Sequence, residues 1–180
     1  MFLQFSRLAS LLLLASTCFA ENDRTWLQVG SGPGAFHLQL KTADEYSGWA
    51  FEAAGYYPPA MFEPVIIDRE TGKDVKPLFR VLAVSKLWSS AFSWGYADYG
   101  LGLGMGLGTW TKNCKEIASG FLANTYECDY YQGSRVGIPL QASAAFGKYV
   151  GFGVSLNAFV HSDDAQIRIL FTLPLGDFTR

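Results

Sequence analysis

The segment from Gly95 to Thr111, GYADYGLGLGMGLGTWT, constrains the fold more than any other part of the chain. Glycine occupies every second position from Gly100 to Gly108, and leucine or methionine fills the positions between. A helix would disfavour this segment, because each interior glycine costs about 1 kcal/mol relative to alanine. In a β-strand, alternate residues point to opposite faces. We therefore predict a strand with one large apolar face and one nearly empty face.

The same alternation recurs along the rest of the chain. Large apolar residues alternate with glycine or polar residues in segments 26–29, 36–41, 49–57, 78–88, 135–147, 150–161 and 165–176. The connections between these segments are too short for crossover helices, so neighbouring strands should be antiparallel. The sequence predicts an all-β fold, an antiparallel up-and-down transmembrane β-barrel of about eight strands.

The first twenty residues have the layout of a secretory signal peptide. Arg7 precedes a short apolar run, and Ala20 precedes the charged stretch that begins at Glu21. The run is shorter than the roughly 20 apolar residues that a spanning helix needs. We predict a cleaved signal peptide at residues 1–20 and a single barrel domain at 21–180.

The interior of the predicted barrel should be narrow. Glycines at alternate strand positions make a poor water-exposed surface, but they suit an eight-stranded barrel, whose interior barely holds its own side chains. Buried charges must be paired, so we expect an interior polar network with Glu52 and Asp98 as hubs. Its members would be Glu52, Arg80, Lys86, Asp98, Arg135, Gln141, Asn157 and Arg168.

The composition and the connections favour a membrane location. Charged residues are 17% of the chain, against about 25% in typical soluble domains. Two long polar segments, 58–76 and 112–134, fall at one end of the barrel, and short turns fall at the other, as in outer-membrane barrels. The predicted location is the outer membrane with lipid as a partner. A soluble periplasmic barrel that binds an apolar ligand inside is the alternative.

Two cysteines remain after the predicted cleavage. Cys114 and Cys128 flank the polar segment CKEIASGFLANTYEC, which we interpret as a loop. In an oxidising compartment a disulfide that closes such a loop contributes about 3 kcal/mol. We predict a disulfide between Cys114 and Cys128, with two free thiols as the alternative. No histidine lies nearby to suggest a metal site.

The patterns GLGLGMGLG, GFGVSLNAFV and IRILFTLPLG resemble the small eight-stranded outer-membrane proteins of the OmpA and OmpX type. The resemblance is one of architecture and covers residues 26–176. It implies a barrel with a filled interior that presents its loops at the surface. Members often end in an aromatic residue that assists membrane insertion, whereas here Phe178 is followed by two more residues.

Candidate catalytic residues are few. The segment AFVHSDD, with His161 and Ser162, is similar to the penultimate strand of the outer-membrane lipid A deacylases, which carry a His and a Ser one residue apart. Here the two residues are adjacent, so an extended strand points them to opposite faces, although a turn at Ser162 would change this. We interpret His161 as an interior histidine. No phosphate loop, metal-ligand pattern or cofactor motif is present, and no basic stripe suggests a nucleic-acid partner.

These features favour a non-enzymatic outer-membrane barrel that presents surface loops for adhesion, envelope integrity or stress resistance. A lipid A-modifying hydrolase or acyltransferase that uses His161 and Ser162 is one alternative. The soluble ligand-binding barrel is the other. A surface or periplasmic protein partner is compatible with the first hypothesis, but the sequence does not identify one.

Overall fold

The structure is a computed structural model that describes residues 24–57, 65–119, 124–162 and 165–179. The predicted signal peptide lies outside the described residues. Nine strands are present in the described part: β1 (Arg24–Gly32), β2 (Ala35–Ala43), β3 (Ser47–Tyr56), β4 (Val65–Asp68), β5 (Phe79–Phe92), β6 (Gly95–Ala118), β7 (Thr125–Gly147), β8 (Gly151–His161) and β9 (Ala165–Gly176). No helix in these ranges is long and apolar enough to cross a membrane.

Eight of these strands form a closed antiparallel barrel. Each pairs with its neighbour in the order β1, β2, β3, β5, β6, β7, β8, β9, and β9 pairs with β1 to close the sheet. The predicted eight-stranded antiparallel barrel is therefore confirmed. The short strand β4 lies outside it and pairs with β7 in parallel, Val65 opposite Thr125.

The two ends of the barrel differ. At the terminal end, short turns join β2 to β3, β5 to β6 and β7 to β8, and both termini of the described chain lie there. At the hairpin end, β6 and β7 continue together well beyond β5 and β8 as a projecting hairpin. The interpretation of residues 112–134 as a loop is wrong over most of its length. The β-branched and aromatic residues of this segment favour strands, and cross-strand pairing extends to Ala118 and Thr125.

The predicted disulfide joins the two strands of this hairpin. Cys114 and Cys128 are bonded, with their Cα atoms 4.1 Å apart. Asn113 and Cys114 together oppose Cys128, because the register shifts between Lys112 and Lys115. Two residues opposite one are a β-bulge. Asn113 has a φ of 51°, a left-handed conformation that asparagine tolerates better than most residues.

The outward face of the barrel is apolar. On β6, Leu103 exposes 66% of its surface, and Val136 on β7 exposes 67%. The strand register places apolar residues side by side on this face, for example Leu38 beside Ala53 and Ala53 beside Leu82. The alternate residues of β6, from Gly100 to Gly108, face inward as predicted. The apolar side chains of β6, β7, β8 and β9 thus lie where the sequence places them.

In β5 the face that we expected inside the barrel, with Arg80 and Lys86, points outward, and the opposite face points inward. Phe79, Val81 and Leu87 are buried inside the barrel, while Arg80 is exposed and Lys86 half-exposed on the outward face. The glycines of β6 explain this arrangement. A Cβ atom built at Gly106 would lie 1.9 Å from Cζ of Phe79, so this glycine leaves the space that the ring occupies.

The interior has three layers between the two ends. Near the hairpin end an apolar cluster includes Tyr56, Phe79, Trp110, Phe159 and Leu170. Near the terminal end a second cluster contains Trp26, Ala43, Tyr96, Ala145 and Phe178. Buried polar side chains lie between the clusters, and we call this layer the polar belt: His37, Gln39, Lys41, Glu52, Asp98, Gln141, Ser143, Ser155 and Asn157.

Candidate functional site

The polar belt contains a buried ion pair. Lys41 Nζ lies 2.9 Å from Asp98 Oδ2, and both side chains are fully buried. Ser143 accepts a hydrogen bond from Lys41 (2.9 Å) and donates one to Asp98 Oδ1 (2.6 Å). The three residues come from β2, β6 and β7 and therefore connect opposite walls of the barrel. This triad offsets the cost of burying its charges.

Two further hydrogen-bonded groups complete the belt. Gln39 Nε2 donates to Glu52 Oε2 (2.8 Å) and also to Gln141 Oε1. Asn157 Nδ2 donates to Ser155 Oγ (2.7 Å) and lies 3.2 Å from Nδ1 of His37. Because side chains from several strands bond across the barrel axis, the belt fills the middle of the barrel.

The predicted interior residues divide into three groups. Glu52, Asp98, Gln141 and Asn157 lie in the polar belt, as expected. Arg135 and Arg168 lie at the hairpin end, half-buried, where Arg135 donates to Ser134 O and Arg168 donates to the backbone oxygens of Ile167 and Gly34. Arg80 and Lys86 belong to the outward face of β5, so their assignment to the interior is wrong.

Sequence reasoning missed the actual partners of the two acidic residues. Lys41 pairs with Asp98, and Gln39 with Glu52. The signal was present, because Phe36, Leu38 and Leu40 alternate with His37, Gln39 and Lys41. Lys41 lies on the face opposite three large apolar residues, and in a barrel with an apolar outside that face is the inner one.

The hairpin end holds cations stacked on aromatic rings. The guanidinium carbon of Arg135 lies 4.3 Å from the centre of the Trp110 ring, and that of Arg168 lies 6.0 Å from the Tyr56 ring. Cation–π contacts of this kind contribute about 0.5–1 kcal/mol at exposed sites. A cavity of about 170 Å³ opens beside Tyr56, Trp110 and Arg168.

The side chains of His161 and Ser162 lie in different environments. His161 is buried and packs against Phe79 (5.4 Å between ring centres) and Phe159 (6.0 Å). Ser162 is exposed at the end of β8. This placement agrees with the interpretation of His161 as an interior histidine. Asp163 and Asp164 lie outside the described residues.

A carboxylate at each end of the barrel is held by hydrogen bonds. At the terminal end, Asp44 accepts hydrogen bonds from the backbone N–H groups of Ser47 (2.7 Å) and Tyr46 (2.8 Å). These bonds, that from Ser47 first, lower the pKa of the Asp44 carboxyl. At the hairpin end, the Thr71 hydroxyl donates to Asp68 (2.6 Å) and lowers the pKa of that carboxyl.

Exposed aromatic side chains lie near the terminal end of the barrel, on β5, β6, β7 and the neighbouring turns. Trp88 stacks on Tyr99 with ring centres 5.4 Å apart. Trp94 stacks between Phe92 (5.2 Å) and Phe146 (5.3 Å). We call these five residues, with the exposed Tyr46 and Tyr149, the aromatic girdle.

The fold and the interior define a class: a closed eight-stranded antiparallel barrel with an apolar outside, a polar belt inside and a projecting hairpin at one end. In the described ranges, no three His, Cys, Asp or Glu side chains lie close enough together to hold a metal ion. Neither protein-family models, nor curated proteins, nor solved structures give a significant match to this chain.

Proposed function

We propose that this chain is a membrane-spanning barrel of the outer membrane, similar in architecture to the OmpA and OmpX type, which presents the projecting hairpin at the cell surface. The observation that carries the proposal is the inverted polarity of the barrel. Leu103, Val136 and Ile169 each expose more than half of their surface, whereas Lys41 and Asp98 are fully buried. Apolar side chains on the outside are favourable in lipid and unfavourable in water.

The size of the apolar surface fits a bilayer. From Tyr99 in the aromatic girdle to Leu107, β6 rises by about 20 Å along the barrel axis, at about 3.4 Å per residue and a tilt of about 40°. The apolar band of outer-membrane barrels is about 25 Å tall and is flanked by aromatic girdles. Arg80 points outward near the hairpin-end limit of this band, where its guanidinium can reach headgroup phosphates.

The projecting hairpin is built as a rigid platform. Strands β4, β7 and β6 form a small sheet beyond the barrel, braced by the disulfide. Arg69 bonds to Asp129 (2.7 Å) and lies 3.6 Å from Glu127. Asn113 Nδ2 also donates to Asp129 (2.7 Å). Such crosslinks reduce the entropy that a binding surface loses when a partner is engaged, which supports a role in presenting a surface to a partner.

The location is tested by cell fractionation and gel electrophoresis with and without boiling. We expect the protein in the membrane fraction, with a migration that changes after boiling because the folded barrel resists unheated detergent. Leu103→Arg places a charge at mid-bilayer and should cost about 2–4 kcal/mol, whereas Tyr99→Arg at the girdle should cost about 0–1 kcal/mol. Both residues are highly exposed. A soluble barrel would tolerate both substitutions equally, and recovery of both variants from the soluble fraction would refute the proposal.

A further inference from the structure

A groove on the outward face of the barrel, which we call the outer groove, runs across the strands from β1 to β6. It has a volume of about 710 Å³ and is lined almost entirely by apolar side chains. The strand register places these side chains in two adjacent rows, one containing Leu40, Phe51 and Val84 and the next containing Leu38, Ala53 and Leu82. Four strand spacings of about 4.8 Å make the groove about 19 Å long. Its volume falls in the range of about 300–1,000 Å³ that is typical of small-molecule sites.

Small residues on β3 open the outer groove toward the hairpin end. Ala53 lies between two leucines, Leu38 and Leu82, and Gly55 is the next outward residue of the same strand. A Cβ atom added at Gly55 would have no heavy atom within 4 Å. The outward face of β3 therefore carries no side chain larger than a methyl group between the outer groove and the hairpin end, and this strip is a channel into the groove.

Arg80 lies beside the hairpin-end mouth of this channel. It is paired with Gly55 in the strand register, and its side chain is exposed on the outward face of β5. Leu82, in the wall of the outer groove, is two residues or about 7 Å away along the strand. Among the described residues, none accepts a hydrogen bond from Arg80 or forms an ion pair with it. A planar guanidinium can hold a phosphate group through two parallel hydrogen bonds.

The second cation on the outward face of β5 is already engaged. Lys86 lies on the terminal-end side of the outer groove, two residues beyond Val84. Its ammonium group donates a hydrogen bond to Ser47 Oγ (3.2 Å) and lies 5.0 Å from the centre of the Trp49 ring. The cation that can pair with an anion is therefore at the hairpin-end side, which gives the groove a direction.

We propose that the outer groove binds a phosphate-bearing membrane lipid. The phosphate group pairs with Arg80, and one acyl chain passes over Gly55 and Ala53 to lie between the two rows of apolar side chains. This inference rests on the proposed membrane location, because only a barrel in a bilayer meets such a ligand on its outer face. It adds the selective binding of one lipid class at one position to the general contact with bilayer lipid.

The test is native mass spectrometry of the purified full-length protein, released from detergent micelles. The probes are dipalmitoyl phosphatidic acid, dipalmitoylglycerol, which lacks only the phosphate, and glycerol 3-phosphate, which lacks the acyl chains. We expect phosphatidic acid to bind at least about tenfold more tightly than either of the others. Arg80→Gln should weaken phosphatidic acid binding about 10- to 100-fold, because hydrogen bonds to a charged group are lost. Lys86→Gln is the matched control on the same face of β5 and should leave this binding unchanged.

A second pair of variants tests the path of the acyl chain. Ala53→Phe keeps Arg80 and an apolar surface but fills the groove, so it should weaken phosphatidic acid binding about tenfold or more through lost apolar contact. Ala158→Phe is its control, because Ala158 faces outward on β8, four strands from β3 in either direction around the barrel. This variant should bind phosphatidic acid as the unsubstituted protein does.

Several results would overturn the lipid site. They are equal binding of phosphatidic acid and dipalmitoylglycerol, equal losses in Arg80→Gln and Lys86→Gln, equal losses in Ala53→Phe and Ala158→Phe, and a dimer of the chain that Ala53→Phe abolishes. A protein that is recovered in the membrane fraction but does not prefer phosphatidic acid refutes this site alone. Recovery of the unsubstituted protein from the soluble fraction refutes the membrane location, and the lipid site with it.

Discussion

Removing Lys41 tests the role of the buried ion pair in the stability of the barrel. Lys41→Met keeps most of the side-chain volume and leaves Asp98 as a buried carboxylate without its cation. The two charges lie 2.9 Å apart and are fully buried. At an effective dielectric constant of about 20, their attraction is about 6 kcal/mol, and much of it is offset by desolvation.

Deleting one partner of a buried pair costs about 3–5 kcal/mol. Asp98 keeps the hydrogen bond from Ser143 (2.6 Å), so we expect a loss of about 3 kcal/mol, at the lower end of that range. Replacing a whole buried pair by apolar residues is often neutral. The double variant Lys41→Met with Asp98→Leu should therefore be more stable than Lys41→Met alone.

The free energy of unfolding is measured by urea denaturation in detergent micelles, followed by tryptophan fluorescence. Lys86→Met is the matched control, because Lys86 is a lysine of the same barrel that lies on the outward face. Its loss should change stability by less than about 1 kcal/mol, since it removes a cation–π contact with Trp49 and a bond to Ser47. Equal effects of the two lysine substitutions, or strictly additive effects in the double variant, would refute the reasoning.

Three further outcomes follow from the structure. Protein taken from cells should react with thiol reagents only after reduction, and replacing Cys114 and Cys128 by serine should make the hairpin sensitive to protease while the barrel still resists unheated detergent. Gly106→Ala should destabilise the barrel by about 1–3 kcal/mol through overcrowding, whereas Gly55→Ala, with no atom within 4 Å of the new Cβ, should be neutral by the same denaturation assay. The lowered pKa of Asp44 contributes stability above its ordinary value of 3.8, and this contribution is lost as the pH falls through the folded-state pKa. Asp44→Asn should therefore flatten the loss of stability below about pH 4 in a pH series of melting curves.

The number of barrel strands and their antiparallel order could be predicted from the sequence because both depend on local signals. A period of two appears directly in the residues, and short connections force neighbouring strands to run in opposite directions. The extension of β6 to Ala118 and the start of β7 at Thr125 were missed. The polar residues there suggested a loop, but a hairpin outside the barrel has no apolar face to bury and can be polar on both sides.

The partners of the interior charges could not be predicted, since they depend on which strands face each other across the barrel. Asp98 meets Lys41 because β6 and β2 lie on opposite walls with three strand intervals between them. The spacing of residues along the sequence does not show which strands face each other across the barrel. The choice of Arg80 and Lys86 as interior residues had a different cause, because both alternate with apolar residues in a strand whose faces were assigned by polarity alone.

The volume of the β5 side chains, and not their polarity, explains which face of β5 points into the barrel. Five glycines in succession on the inner face of β6 leave a groove that small polar side chains cannot fill, and a void loses dispersion contacts on every side. Cβ atoms placed at Gly100 and Gly106 would lie 2.8 Å from Leu87 and 1.9 Å from Phe79, so these large side chains of the adjacent strand occupy the groove. Once they point inward, the period of two forces Arg80 and Lys86 outward. Glycines on the inner face of one strand therefore predict large inward side chains on the neighbouring strand, even where this places charged residues on the outer face.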